Sequence, residues 1–186
     1  MVAAQYSQRR VLVTGASGFL GSRIVDFLQR WDAQVLPVNS ALCDLRNRAD
    51  CIALFAQEKP EIVVHCAVQG GGIGWMKEHP VASGEDNLRM NVNCLSAAHN
   101  CGALTFIGVS SACVYPKHAP VPYLEDSVWG GYPEPINGPY ALSKRMMMDL
   151  GRAYAREHNF QCVFPILANL YGPGDHLDSK RGHVVA

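Results

Sequence analysis

The sequence has no basic run, no acidic tail and no net charge, since sixteen Lys and Arg balance sixteen Asp and Glu. This excludes the electrostatic footprint of a nucleic-acid binder. No apolar stretch reaches the roughly 18 residues that a membrane-spanning helix needs, and the opening MVAAQYSQRR lacks the apolar centre of a signal peptide. There is no CxxC pair. The seven cysteines, at 43, 51, 66, 94, 101, 113 and 162, are odd in number and lie mostly in apolar runs. Free thiols in a reducing cytoplasm are the expectation. No metal-ligand spacing links cysteine to histidine, so no metal is expected. Repeats and low-complexity linkers are also missing. With 48% hydrophobic and 17% charged residues over 186 positions, the composition excludes disorder and allows one domain with a sizeable core.

What is present is an alternation of two periodicities. Strand-like β-branched runs fall at 10–15, 34–38, 61–68, 103–111 and 161–172. Between them lie segments with helical apolar spacing at 19–31, 49–59, 80–101 and 139–158. Strands that are apolar throughout, rather than alternating, have both faces covered. The pattern predicts an α/β chain, a Rossmann-like doubly wound parallel sheet with right-handed crossovers. Ligands of such sheets bind beyond the carboxyl ends of the strands.

The first such end reads TGASGFLG and spaces Gly15, Gly18 and Gly21 three apart, opening a helix. One glycine makes the turn, one lets backbone reach a pyrophosphate, and one packs helix on strand. The helix N-terminus adds free N–H groups and partial positive charge. Residues 15–21 are therefore expected to cradle a dinucleotide: Gly15, Ala16, Ser17, Gly18, Phe19, Leu20 and Gly21. At the end of the second strand, Val38-Asn39-Ser40-Ala41 supplies no acid for a ribose 2′-hydroxyl. A 2′-phosphate is thus not repelled, which leans the expectation from NAD towards NADP.

A second pattern is YALSK, with Tyr140 and Lys144 four apart near a helix start. They share a helix face, where an ammonium beside a phenol favours the phenolate. A third is SSACVYP, which places Ser111 and Cys113 at the end of the fourth strand. Taken alone, Cys113 reads first as a small buried hydrophobe.

Together these motifs resemble the extended short-chain dehydrogenase/reductases that act on nucleotide sugars, and among them the GDP-L-fucose synthase family. The stretches that carry the resemblance are VTGASGFLGSRI, VHCAVQGGGIG, DNLRMNVN, SSACVYPK, EPINGPYALSK, NLYGPGD and GHVV. The resemblance implies 3,5-epimerisation of GDP-4-keto-6-deoxymannose followed by reduction of its C4 ketone with NADPH. It implies Tyr140 as proton donor, Ser111 as the hydroxyl that polarises the carbonyl, and Lys144 as the residue that tunes Tyr140 and holds the cofactor ribose. Cys113 and His183 would be the base and acid of epimerisation. By the same resemblance, Ser40, Asp44 and Leu45 fall at the adenine and ribose edge. Val109 and Ser110, at the end of strand four, and Leu167, Asn169 and Leu170, in the segment after strand five, are likewise implied to bind the cofactor. A homodimer is implied, built from the helices at 80–101 and 139–158. Cys66 falls beside the cofactor, whereas His65, His99 and His158 read as packing or surface residues.

The chain departs from the family in two places. Leu167 and Ala168 replace its usual proline and threonine, and YGPGDHL replaces its usual YGPHDNF. Both lie near the sugar, so a related 4-epimerase, dehydratase or reductase on another nucleotide sugar stays open. Family members also run on far beyond the position of Ala186 into a lobe that holds the nucleotide sugar. Residues 1–186 are accordingly expected to be the NAD(P)-binding domain of a longer protein. The remaining alternative is a dinucleotide-binding module without catalysis.

Overall fold

A computed structural model describes residues 6–174. Five parallel strands form the main sheet: β1 (Arg10–Thr14), β2 (Gln34–Val38), β3 (Ile62–His65), β4 (Thr105–Gly108) and β6 (Gln161–Val163). Their order is β2-β1-β3-β4-β6. Successive residues of β1 point to opposite faces. Leu12 therefore enters a core with Val63 and Phe106, Phe55, Leu95 and Met147, while Val11 and Val13 enter a second core with Val25 and Leu28. Helix α1 (Phe19–Arg30) covers the second face. Helices α2 (Arg48–Glu58), α4 (Pro80–Asn100) and α5 (Gly138–His158) cover the first. A six-residue helix, α3 (Ile73–Glu78), was not expected from the spacing. The doubly wound parallel sheet read from the sequence is the observed architecture.

Local chemistry explains the boundaries. Pro37 cannot donate to a ladder, and β2 is an edge strand paired only with β1. Asn47 caps α2 by accepting from the Ala49 N–H at 2.9 Å, and Lys59 ends that helix in the left-handed region. Proline opens both long helices, where its missing N–H costs nothing.

The expected fourth and fifth strands are each cut in two. The fourth breaks at Val109 and continues as β5 (Ser110–Ser111), and the fifth breaks at Phe164-Pro165 and continues as β7 (Ile166–Leu167). β5 and β7 leave the main sheet and pair with each other in parallel. Pro165 has no N–H to offer, but its carbonyl accepts from the Ser110 N–H at 3.0 Å and starts the small ladder.

Order reverses between β1 and β3, so the crevice of the sheet opens there. No helix of the described residues is long and apolar enough to cross a membrane. Phe106 sits fully buried on β4, its ring centre 6.0 Å from His65 and 6.3 Å from Phe164. Phe106→Ala is expected to cost about 3–5 kcal/mol by removing apolar contact and leaving a cavity. Urea unfolding measures it, and a loss below about 1 kcal/mol would show that this ring is not a core element.

Candidate active site

The turn after β1 is built around Gly15, whose φ of +66° belongs to the left-handed region. A Cβ there would also lie 2.7 Å from the Ala67 backbone nitrogen, at the exit of β3. A Cβ at Gly21 would strike the Gly15 carbonyl, so the first turn of α1 packs directly on the loop. Gly18 caps α1 without any side chain, and no acid sits in the helix's first turn. The opening N–H groups are left for an anion. Ala16, Phe19 and Leu20 are half-buried around this turn, whereas Ser17 and Gly18 face solvent. These residues fit the diphosphate of a dinucleotide.

The far edge of the crevice is different. Asn39 closes a turn by accepting from the Ala41 and Leu42 N–H groups at 3.0 and 3.2 Å, which leaves Ser40 exposed. Asp44 is held by both arms of Arg46 at 2.9 Å, and the same guanidinium faces Asp86 at 3.6 Å. These bonds from Arg46 hold the Asp44 carboxyl below the usual carboxylate range. Leu45 turns inward and is buried in the main core. Its carbonyl accepts from Asn93 at 3.0 Å.

Behind the cradle runs a line of buried polar groups. Thr14 Oγ1 meets His65 Nδ1 at 2.7 Å and accepts from the Ala67 N–H at 3.2 Å. His65 Nε2 meets Asn91 Oδ1 at 3.0 Å, so that nitrogen donates. With Nε2 protonated, neutral His65 accepts from the Thr14 hydroxyl at Nδ1. Asn91 Nδ2 then donates to the Ser143 carbonyl on α5 at 3.1 Å. His65 was expected to be a packing or surface residue; it is a fully buried, doubly bonded link between β1, β3 and α4. Its separation from Thr14 and Asn91 along the chain hides this role from any local pattern. Burial, aided by the charge of Lys144, pushes the imidazole down to about 3.

Tyr140 and Lys144 occupy the first turns of α5, both buried. Lys144 Nζ donates to the Val109 carbonyl at 2.9 Å and lies 6.0 Å from the centre of the Tyr140 ring. One of the three donors of this ammonium is used on backbone at the break of strand four. Burial pushes Tyr140 up to about 12; the neighbouring Cys113 adds to the rise and the Ser111 hydroxyl opposes it. Burial also brings Lys144 down to about 8, against the pull of the Cys66 and Cys94 thiols. Cys66, half-buried just past β3, is itself pushed up to about 11 by burial.

Ser111, Cys113 and Tyr140 converge. Ser111 ends β5 and accepts from the Cys113 N–H at 3.3 Å, which turns the chain into the 3₁₀ segment Ala112–Val114. Arg145 fixes that segment from behind: its Nε donates to the Val114 carbonyl and its Nη1 to the Gly131 carbonyl, both at 2.8 Å. Asn137 Nδ2 donates to Cys113 Sγ at 3.7 Å, a contact no motif had singled out. Val109 is half-buried at the same strand end, and the buried Ser110 hydroxyl donates to Met148 Sδ at 3.4 Å. Leu167 is half-buried in β7, with Asn169 exposed and Leu170 half-buried just beyond it. His183 lies outside the described residues.

Residues 11–186 match the NAD dependent epimerase/dehydratase family. The chain belongs to that family. Within this epimerase/dehydratase family it is 36% identical over 180 residues to a probable GDP-L-fucose synthase 1 of Oryza sativa subsp. japonica, covering 95% of this chain and 54% of the relative. The GDP-L-fucose synthase of Dictyostelium discoideum is 32% identical over 182 residues, covering 96% of this chain and 57% of the relative. A crystal structure of a GDP-L-fucose synthetase from Naegleria fowleri bound to NADP superposes with a TM-score of 0.84 at 32% identity, covering 96% of this chain and 60% of that one. The chain therefore spans little more than half the length of these relatives. The resemblance read from the motifs is shown along nearly the whole chain.

The buried imidazole gives a pH dependence of known sign. Folded His65 binds fewer protons than unfolded His65 between about pH 6.5 and 3, so its contribution is complete above 6.5 and is lost as pH falls. At pH 5 the protein is expected to be about 2 kcal/mol less stable than at pH 7 through this group alone. Urea midpoints across that range measure the effect, and His65→Gln should flatten it. An equal slope in the variant would assign the acid sensitivity to other groups.

Proposed function

We propose that this chain carries the cofactor-binding and catalytic residues of an NADPH-dependent nucleotide-sugar epimerase-reductase that converts GDP-4-keto-6-deoxymannose to GDP-L-fucose. The observation that carries the reading is the convergence of Ser111, Cys113 and Tyr140 beside a strand end that Lys144 anchors. A bare dinucleotide-binding module has no need of a thiol, a hydroxyl and a buried phenol at one point. Similarity to GDP-L-fucose synthases supports the choice of substrate.

In this reading Ser111 donates to the C4 carbonyl oxygen and withdraws electron density from it. The C–H bonds at C3 and C5 become acidic. Cys113 as thiolate takes one proton at a time, and His183 returns a proton from the other face, which inverts each centre. Tyr140 then gives its proton to the oxygen as the ketone becomes an alcohol. A phenol held near 12 is fully protonated at neutral pH, as a proton donor must be. Lys144 stands behind it to offset the phenolate that remains. The cradle from Gly15 to Gly21 would hold the cofactor diphosphate, and the cofactor when bound supplies hydride to the carbonyl carbon. The absence of an acid at Val38–Ala41 supports NADPH over NADH. A homodimer would use α4 and α5, whose Leu88, Leu142 and Met146 remain exposed.

The deciding experiment incubates the protein with GDP-4-keto-6-deoxymannose in D2O without NADPH. Deuterium is expected at C3 and C5 by NMR, with exchange lost in Cys113→Ser and kept in Tyr140→Phe. A folded, NADPH-binding protein that exchanges neither position is not an epimerase.

Reduction has its own pH signature. Lys144 loses its charge as pH rises through about 8, so kcat/KM for NADPH-dependent reduction should fall across that value. Lys144→Met should reduce the rate about 100-fold and remove the step. A wild-type profile that is flat from pH 7 to 9 would exclude the ammonium from the reaction.

A further inference from the structure

Among the described residues, two buried side-chain atoms lack a hydrogen-bond partner, Arg145 Nη2 and Asn137 Oδ1. Both belong to residues that hold the Cys113 loop. The rest of the Arg145 guanidinium is used on the Val114 and Gly131 carbonyls, which accounts for its position. Asn137 has no such account.

Asn137 stands at the residue before α5, where asparagine ordinarily turns its side chain back to cap the helix. Asn47 does this on α2. Asn137 does not cap α5 with its side chain. Instead Nδ2 is directed at Cys113 Sγ, 3.7 Å away, and Oδ1 is left buried and unpaired. The main chain on either side of this amide is held in place. The Asn137 N–H is tied to the Glu134 carbonyl at 2.9 Å, and a Cβ at Gly138 would lie 2.5 Å from the Tyr132 hydroxyl oxygen. A capping bond has been given up for a contact with a thiol, and a buried acceptor has been left without a donor.

We propose that Asn137 is a further residue of the epimerisation site, with Nδ2 supporting the Cys113 thiolate and Oδ1 accepting a hydroxyl of the bound sugar. The proposal rests on the reading of Cys113 as the base. An N–H directed at sulfur interacts more strongly with the anion than with the thiol, so the bond favours the reactive form. Among the described residues, Tyr140 on α5 is the ionisable group beside this thiol, and Lys144 Nζ lies 6.0 Å from the centre of the Tyr140 ring. Asn137 Nδ2 is the hydrogen-bond donor that the structure directs at this sulfur. A buried amide oxygen without a partner gains most from a ligand that brings O–H groups, and a hexose brings several.

The test separates the two halves of the amide. Alkylation of Cys113 by iodoacetamide at pH 7.5, followed by peptide mass spectrometry, reads the thiolate without any substrate. Asn137→Ala and Asn137→Asp, each with an unchanged melting temperature, should both alkylate about tenfold more slowly than wild type. In solvent-deuterium exchange with the keto sugar, Asn137→Asp retains an acceptor and should lower kcat with KM nearly unchanged. Asn137→Ala should also raise KM. Wild-type alkylation rates in both variants overturn the thiolate role, and an unchanged KM in Asn137→Ala overturns the sugar contact. If alkylation responds but no variant, wild type included, exchanges deuterium, the Asn137–Cys113 pair stands and the epimerase reading falls.

Discussion

The line of hydrogen bonds from Thr14 through His65 and Asn91 to the Ser143 carbonyl is the constraint on which the rest of the site depends. It crosses the molecule from the last residue of β1 to the helix that bears Tyr140 and Lys144. Every member is buried, so no member can be removed without stranding another in a medium that does not solvate it. Packing alone would tolerate a small slide of α5 along the sheet. A directed bond to a particular carbonyl tolerates it less, and this fixes how far the reactive side chains stand from the cradle.

The same dryness sorts the reactive groups by their charge. Tyr140 is neutral when protonated and Lys144 is neutral when deprotonated, so burial moves one up to about 12 and the other down to about 8, and it separates two groups whose ordinary values nearly coincide. The phenol remains a proton donor and the lysine remains titratable within reach of neutral pH. Cys113 sits outside the core on a short turn, only half-buried, with its support coming from single contacts. The fold thus offers two environments side by side, a dry helix face around Tyr140 and Lys144 and a more open loop around Cys113.

The sequence made the sheet legible because continuous apolar runs and helical spacing are local signals. The cradle was legible because its glycines answer to a local conformation, visible in the positive φ of Gly15. The breaks at Val109 and Pro165 were not, since apolar character continues through both and only the pairing partner changes. Tyr140 and Lys144 were found by their four-residue spacing. That spacing could not reveal that Lys144 reaches the Val109 carbonyl, thirty-five positions away. The roles of His65 and Asn91 were hidden for the same reason. Asn137 lay inside a motif already quoted, but only the folded chain gives it a thiol neighbour and an unpaired oxygen.

The small β5–β7 ladder has an evolutionary consequence. Ser110-Ser111 and Ile166-Leu167 pair with each other and with no strand of the main sheet. Substitutions around this ladder therefore spare the two cores from which most of the stability derives. An architecture of this kind lets residues of the small ladder change while the five-stranded sheet and its two cores stay fixed, so one scaffold can carry many local variants at its edge.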